Sequence, residues 1–229
     1  MSGRLAVVGL GPGDARYLTP EASAALADAE ALYGYAPYLD RLPPRAGQSR
    51  YTSDNREERA RASAALRHAA QAACVAIVSG GDPGVFAIAA AVCEAIEAGP
   101  KSWRALDIEI VPGITAMLAV AARIGAPLGH DFCALSLSDN LKPWELIERR
   151  LDAAAAAGFV IALYNPVSRA RPWQFGAATY GKIGAARALG IEVIMLRRPP
   201  ASDARAVETI DNAVTWLAHA LTSAAARGV

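Results

Sequence analysis

The amino-acid sequence predicts an α/β fold built on a largely parallel sheet. Along the 229 residues, short apolar runs rich in β-branched side chains alternate with longer stretches of helical composition. Glycine-rich turns directly follow several apolar runs, which is typical of the carboxyl ends of parallel strands. The chain is 53% hydrophobic and 20% charged, so it can build a large core and is not a disordered chain.

The first half of the chain contains four predicted strands, at residues 5–8, 31–35, 75–79 and 108–113. Helices are expected at about 20–32, 57–73, 84–99 and 114–125. The first helix has a strong start signal, because Thr19 suits the N-cap, Pro20 the first helical position and Glu21 the positive end of the dipole. Gly99 and Gly125 are expected to end the last two helices.

Proline and glycine interrupt both periodicities at residues 126–132, which we interpret as a linker. The sequence therefore predicts two α/β domains, residues 1–125 and 126–229. In the second domain, strands are expected at 133–138, 159–165 and 191–196, and helices at 142–158, 173–189 and about 206–226. We find no internal repeat.

Composition excludes several classes of function. Lys plus Arg is 23 and Asp plus Glu is 22, so the net charge of +1 favours neither nucleic acid nor an anionic membrane. The three cysteines are too widely spaced for a disulfide framework or a zinc site, which indicates a reducing cytoplasm and no metal. The N-terminus lacks an apolar run of signal-peptide length, and the most apolar region is broken by Gly80–Pro83, so no membrane span is expected.

The first glycine loop reads GLGPGD at residues 9–14. A dinucleotide-binding fingerprint needs G-x-G-x-x-G and an acidic residue about 20 positions on, whereas this loop has G-x-G-x-G, a proline at position 12 and no acidic partner. The lysine of a Walker loop is also missing. On its own, the loop is equally well explained as a tight turn.

Three further strand ends change this interpretation. SGGDPGVF (79–86), VPGITAM (111–117) and LYNP (163–166) each follow a predicted strand. Ligands of open parallel sheets bind beyond the carboxyl ends of strands, so the four loops are expected to converge on one cleft. Glycines there allow close approach to a ligand, and Asp82 can accept hydrogen bonds from a ribose or an amine.

In this order and spacing, the four motifs closely resemble those of the tetrapyrrole methyltransferases that use S-adenosyl-L-methionine. The resemblance covers about residues 4–177 and includes YGYAPYLDRL and SLSDNLKPWELIERRL. It implies two α/β domains of tetrapyrrole methylase type, usually dimeric, with the cofactor in the cleft between them. The cofactor-binding residues it implies, each of which has a turn or core role as its alternative, are Pro12, Gly80, Gly81, Asp82, Val85, Thr115, Ala116, Tyr164 and Asn165.

The reaction that the resemblance implies is methyl transfer to an electron-rich carbon of a precorrin, coupled to contraction of the macrocycle, in cobalamin biosynthesis. Asp14, at the mouth of the first loop, is the candidate general base, and its alternative is a loop cap. A substrate with many carboxylates needs cationic partners and aromatic surfaces. The candidates, weighed against ordinary surface charge and helix packing, are Tyr35, Tyr38, Arg56, Arg59, Lys142, Trp144, Arg169 and Arg171.

After about residue 177 the family pattern stops. The stretch GKIGAARALGIEVIMLRRP resembles the C-terminal end of precorrin-6A reductases, another family of the same pathway. We therefore expect a hybrid chain with an incomplete second sheet and a weakened affinity for the cofactor. Two alternatives stay open: a cofactor- or tetrapyrrole-binding protein with little or no turnover, and a methyltransferase of the same superfamily with another substrate.

Overall fold

The computed structural model describes residues 3–138 and 142–165 of the chain. In chain order the strands and helices are β1 (Arg4–Gly9), α1 (Pro20–Asp28), β2 (Ala31–Tyr35), α2 (Ala36–Leu39), β3 (Ser49–Ser53), α3 (Glu58–Ala69), β4 (Cys74–Ser79), α4 (Ile88–Ala98), β5 (Asp107–Val111), α5 (Ala116–Arg123), β6 (Phe132–Ser136), α6 (Trp144–Ala156) and β7 (Val160–Tyr164). Short 3-10 helices occupy Ala15–Tyr17, Asn55–Glu57 and Lys101–Ala105.

Strands β1 to β5 form one parallel sheet in the order β3-β2-β4-β1-β5. The register places Val7 of β1 beside Ile77 of β4 and Ile110 of β5. Strands β1 and β4 are buried on both faces and are almost wholly apolar, as expected of central parallel strands. Strands β6 and β7 form a separate parallel pair. The predicted α/β class with a parallel sheet is confirmed.

The core has two layers because successive strand side chains point to opposite faces of the sheet. Leu5 and Val7 of β1 pack with α3 and α4 on one face. Ala6 and Val8 pack with α1 and the end of α2 on the other face. Each fully buried valine or leucine contributes about 1.5–3 kcal/mol by leaving water. The two layers therefore fix the position of the sheet and of its carboxyl edge.

The start of α1 confirms its sequence signal. Oγ1 of Thr19 accepts a hydrogen bond from the backbone N–H of Ala22 at 3.1 Å, and Pro20 is the first helical residue. The predicted end of this helix at about residue 32 was wrong. Helix α1 ends at Asp28, and Ala31 and Leu32 are buried residues of β2 instead.

Two elements, α2 and β3, were absent from the prediction. Strand β3 is polar and mostly exposed, and its place at the edge of the sheet comes from pairing with β2. Helix α4 begins at Ile88, later than predicted, after Phe86 with a φ of +52°. The elements predicted beyond residue 165 lie outside the described residues. Within the described ranges, no helix is long and apolar enough to cross a membrane.

Gly34 lies in the middle of β2, where α2 packs close to the strand. A Cβ at this position would lie 2.6 Å from Cγ2 of Val78 and 3.0 Å from Cγ of Leu39. We expect Gly34→Ala to lower the free energy of unfolding by about 1–3 kcal/mol because the added methyl overpacks this contact. Urea unfolding followed by circular dichroism measures the change.

The matched control is Gly129→Ala, since nothing lies within 4 Å of a Cβ at Gly129. This variant should unfold within about 0.5 kcal/mol of the wild type. Equal midpoints for Gly34→Ala and Gly129→Ala would contradict the close packing of α2 on β2.

Candidate functional site

The first two glycine loops are joined by their backbones. The N–H of Gly11 donates to the carbonyl of Gly81 at 3.1 Å, and the N–H of Gly81 donates to the carbonyl of Gly11 at 2.8 Å. One step earlier, the N–H of Leu10 donates to the carbonyl of Ser79 at 2.9 Å. Gly11 and Gly81 thus form an antiparallel bridge just past the ends of the parallel strands β1 and β4, which fixes the two loops against each other.

The third loop approaches the other two so closely that side chains do not fit between them. A Cβ at Gly9 would lie 2.7 Å from both the backbone nitrogen of Gly113 and the carbonyl oxygen of Gly81. A Cβ at Gly113 would overlap that same carbonyl oxygen. Glycine at positions 9 and 113 is therefore a packing requirement at this edge.

Asp82 ties the second loop to the third. Its Oδ1 accepts from the backbone N–H of Gly84 at 2.8 Å, and its Oδ2 accepts from the backbone N–H of Gly113 at 3.0 Å. Each oxygen of a carboxylate has two acceptor sites, so the group can still accept a hydrogen bond from a ligand. The residue is thus both a structural link and a candidate ligand contact.

The fourth strand end meets the third loop through Tyr164, the last residue of β7. Its hydroxyl group hydrogen-bonds the hydroxyl of buried Thr115 and accepts from the backbone N–H of Met117 at 3.2 Å. The Tyr164 ring lies 5.3 Å from that of Phe86, measured between centroids. Asn165, with a φ of +51°, donates from Nδ2 to Oγ of Ser136 at 3.0 Å. All four loops therefore meet in one place.

The remaining predicted cofactor residues lie around this meeting point. Pro12, Gly80, Val85 and Ala116 are each partly exposed, so their surfaces are accessible to a ligand. Gly81 has a φ of +70°, and the nearest atom in the direction of its missing Cβ is Cα of Thr115, 4.0 Å away. A side chain at position 81 would occupy this open space between the second and third loops.

Asp14 caps the short 3-10 helix that follows the first loop. Its side chain accepts from the backbone N–H of Arg16 at 3.0 Å and forms an ion pair with Nε of Arg16 at 3.2 Å. The side chain remains 52% exposed. This geometry supports the cap alternative and leaves the carboxylate accessible, so its role as a base remains a prediction.

The predicted substrate residues are distributed over different elements. Tyr35 ends β2 and makes an edge-on contact with Tyr38, with centroids 5.4 Å apart. Arg56 is exposed in a 3-10 helix. Lys142 lines a shallow recess with Phe86, Ser136 and Arg150, among others.

Four other candidates remain, two of which belong to the described residues. Arg59 is exposed on α3 and pairs with Glu94 at 3.3 Å. Trp144 donates from Nε1 to Glu148 of its own helix at 2.6 Å. Arg169 and Arg171 lie outside the described residues.

Sequence reasoning missed Arg41 and Phe86. Nη2 of Arg41 donates to the carbonyls of Leu10 and Gly11, at 2.8 and 3.1 Å, so this side chain holds the first loop from α2. Burial lowers its pKa, and the nearby Tyr38 opposes that shift. Phe86 combines a left-handed backbone with a side chain that is 47% exposed beside Tyr164. Arg41 carries no recognisable signal because it follows α2, which is not evident in the sequence. Phe86 carries none because a phenylalanine does not mark a left-handed backbone position.

The fold, the four converging loops and the parallel sheet define a family. Residues 4–192 match the model of the Tetrapyrrole (Corrin/Porphyrin) Methylases, and the chain belongs to this family. The predicted class, a methyltransferase of the tetrapyrrole methylase type, is confirmed. No group of three or more His, Cys, Asp or Glu side chains that could hold a metal occurs within residues 3–138 and 142–165.

Particular relatives lie within this family. The chain is 67% identical over 178 residues to a precorrin-3B C(17)-methyltransferase of Sinorhizobium sp, covering 78% of this chain and 70% of that protein. It is 53% identical over 177 residues to the cobalamin biosynthesis protein CobIJ of Mycobacterium tuberculosis, covering 77% of this chain and 34% of CobIJ. The crystal structure of the methyltransferase CobJ superposes with a TM-score of 0.74 at 52% identity, covering 82% of this chain and 76% of CobJ.

Replacing Asp82 tests the link between the second and third loops. In Asp82→Asn, one side-chain oxygen becomes an NH₂ group that faces a backbone N–H, so a charge-assisted hydrogen bond is lost and two donors oppose each other. We expect the free energy of unfolding to fall by about 1–2 kcal/mol, as measured by urea unfolding. Asp152→Asn, an exposed change on α6, should have no measurable effect. If both variants unfold at the same urea concentration, Asp82 is not the link described above.

Proposed function

We propose that this protein transfers the methyl group of S-adenosyl-L-methionine to carbon 17 of precorrin-3B, with contraction of the ring, in cobalamin biosynthesis. The observation that carries the proposal is the meeting of four loops at Gly11, Gly81, Gly113 and Tyr164. The 67% identity to a protein named for this reaction supports precorrin-3B as the substrate. The 52% identity and TM-score of 0.74 with CobJ support the same architecture.

The residues present fit this cofactor. The open space beside Gly81 would be filled by a side chain, and the groups around it are backbone amides, hydroxyls and one carboxylate. Such neutral and anionic groups suit a nucleoside that carries an amino acid and a cationic sulfur. We propose that Pro12, Gly80, Gly81, Asp82, Val85, Thr115, Ala116, Tyr164 and Asn165 hold it.

When bound, S-adenosyl-L-methionine supplies a methyl group that is already activated by its positively charged sulfur. The protein therefore contributes mainly alignment and exclusion of water. Thr115, Tyr164 and Phe86 are joined by a hydrogen bond and a ring contact, and we propose that they fix one wall of the site. We propose Asp14 as the group that removes a proton as the product forms. Its exposed carboxylate lies beside the first loop and can exchange that proton with solvent.

We further propose that Tyr35, Arg56 and Lys142 contact the tetrapyrrole, together with Arg169 and Arg171 beyond the described residues. Lys142 shares its recess with Arg150, so two cations lie where an acidic side chain of a substrate could enter.

The family resemblance also leads us to propose two domains that divide at residues 125 and 126, and a homodimer. Gly125, with a φ of +71° and nothing near its missing Cβ, fits such a boundary. The cysteine usage leads us to propose a cytoplasmic location.

The decisive test is incubation of the full chain with precorrin-3B and S-adenosyl-L-methionine labelled in its methyl group. We expect the label at carbon 17 of a ring-contracted product, located by nuclear magnetic resonance, and no label when excess S-adenosylhomocysteine is present. Label at another carbon would instead identify a methyltransferase with a different specificity. Binding of S-adenosylhomocysteine in calorimetry without transfer would identify a binding protein.

Asp14→Asn separates the two roles of Asp14. Asparagine caps a helix about as well as aspartate but cannot take up a proton at neutral pH. We therefore expect kcat to fall about 100-fold while the thermal midpoint and the Kd of S-adenosylhomocysteine stay at wild-type values.

Arg16→Gln is the control, because it removes the ion pair to Asp14 and keeps the carboxylate. It should retain kcat within about threefold, since an exposed ion pair contributes little. Wild-type turnover in Asp14→Asn would leave Asp14 with the cap role alone.

A further inference from the structure

A single guanidinium nitrogen of Arg41 holds two successive carbonyls of the first loop. Its Nη2 donates to the carbonyl of Leu10 at 2.8 Å and to that of Gly11 at 3.1 Å. Successive carbonyls of an extended strand point to opposite sides, so the chain must turn before one donor can reach both. Gly11 makes that turn with a φ of +69°. The two hydrogen bonds therefore stabilise one particular conformation of this loop.

The carbonyl of Gly11 is also the group that joins the first loop to the second. It accepts from the backbone N–H of Gly81 at 2.8 Å, so with Nη2 of Arg41 both of its acceptor sites are filled. The N–H of Gly11 donates back to Gly81. Every polar atom of Gly11 is thus engaged, and the partly exposed ring of Pro12 is attached directly to this fixed group.

The turn that carries Arg41 is itself held from the edge strand β3. Nη1 of Arg50 in β3 donates to the carbonyl of Leu39 at 3.1 Å and to that of Leu42 at 3.0 Å. These two residues lie on either side of Arg41 in the chain, and Leu39 is buried in the core. Two arginines in series therefore connect the polar edge strand to the first loop.

Helix α2 also contacts the second loop. A Cβ at Gly80 would come within 2.8 Å of the ring of Tyr38, which packs against the core layer that contains α1. The backbone N–H of Arg41 donates to the carbonyl of Tyr38 at 3.3 Å. Helix α2 and the turn after it thus support both of the loops that are proposed to hold the methyl donor.

We propose that Arg41 is a positioning residue for the methyl transfer, which keeps Pro12 and Gly81 at the spacing that aligns S-adenosyl-L-methionine with its acceptor. This proposal rests on the proposed function and assigns Arg41 no contact with the tetrapyrrole. Alignment of donor and acceptor is the main contribution of the protein to such a reaction, and a displacement of about 1 Å can lower a rate about 100-fold. A side chain that fixes the backbone beside the donor therefore acts on kcat.

The test compares Arg41→Gln with Arg45→Gln, an exposed change in the same connection between α2 and β3. A glutamine side chain is too short to reach both carbonyls. With saturating S-adenosyl-L-methionine and well below the thermal midpoint, we expect kcat for precorrin-3B to fall about tenfold or more in Arg41→Gln. The KM for precorrin-3B should stay within about twofold, and Arg45→Gln should keep both constants within about twofold.

Arg41→Lys tests whether the donor nitrogen is what matters, and it covers the case in which the glutamine variant does not fold. Since one nitrogen of Arg41 makes both bonds, an ammonium group with three donors can partly replace it. We expect kcat about threefold below the wild-type value, because the ammonium lies on a shorter side chain.

Four results overturn the proposal. Wild-type kcat in folded Arg41→Gln with a lowered thermal midpoint assigns Arg41 a role in stability alone. A rise in the KM for precorrin-3B in place of a fall in kcat marks a substrate contact. Arg41→Lys that is no faster than Arg41→Gln shows that the donor is not the cause. If the glutamine variant does not fold, wild-type kcat in Arg41→Lys has the same meaning as in the first case.

Hydrogen exchange at the Gly81 amide separates this inference from the proposed function. This N–H donates to the carbonyl that Arg41 holds, so in Arg41→Gln its exchange should become about tenfold faster, with no change in Arg45→Gln. The Kd of S-adenosylhomocysteine should rise about threefold in Arg41→Gln, because the two loops are less preorganised.

The two hypotheses can then fail independently. If the protein transfers no methyl group to precorrin-3B, but the Gly81 amide and the Kd of S-adenosylhomocysteine respond to Arg41→Gln in this way, the proposed function fails and the positioning of the loops by Arg41 stands. If the protein methylates precorrin-3B, and Arg41→Gln keeps wild-type kcat and wild-type exchange, the function stands and the positioning role fails.

Discussion

The reciprocal backbone hydrogen bonds between Gly11 and Gly81 position every other part of the candidate site. They hold the first two loops together past the ends of β1 and β4, and the carbonyl of Gly81 sets the limit to which the third loop can approach through Gly9 and Gly113. Asp82 then fixes that third loop, and Tyr164 attaches the fourth. The site is therefore built from main-chain atoms, and side chains serve mainly to connect one loop to the next.

The sequence predicted the parts of the fold that depend on local pattern. Strands β1 and β4 are apolar on both faces, and glycine ends β1 and directly follows β4, so their identity and the loops after them are evident from the sequence. Strand β3 could not be found in this way, because it is polar and forms only through pairing with β2. Helix α2 has four residues, too few for a periodic signal. Since Arg41 lies just after that helix, its hydrogen bonds to the first loop were not predicted.

The side chains with the most obvious chemistry are also used by the fold. Asp82 accepts two backbone hydrogen bonds, Asp14 caps a 3-10 helix, and the hydroxyl of Tyr164 binds the start of α5. Groups held in this way are preorganised, because their rotamers are already fixed before any ligand arrives. The same fact explains why sequence reasoning left structural and functional roles open at these positions: in this fold a residue can have both.

Phe86 illustrates a conflict between local stability and surface chemistry. A large side chain in the left-handed region costs about 1–2 kcal/mol, and glycine would adopt the same backbone without that cost. The phenyl ring is nearly half exposed, so burial in the core does not offset this energy. What glycine could not supply is an aromatic surface against Tyr164. Selection for greater stability would therefore replace Phe86 by glycine. The resulting protein would have a more stable loop but would lack the aromatic surface beside Tyr164.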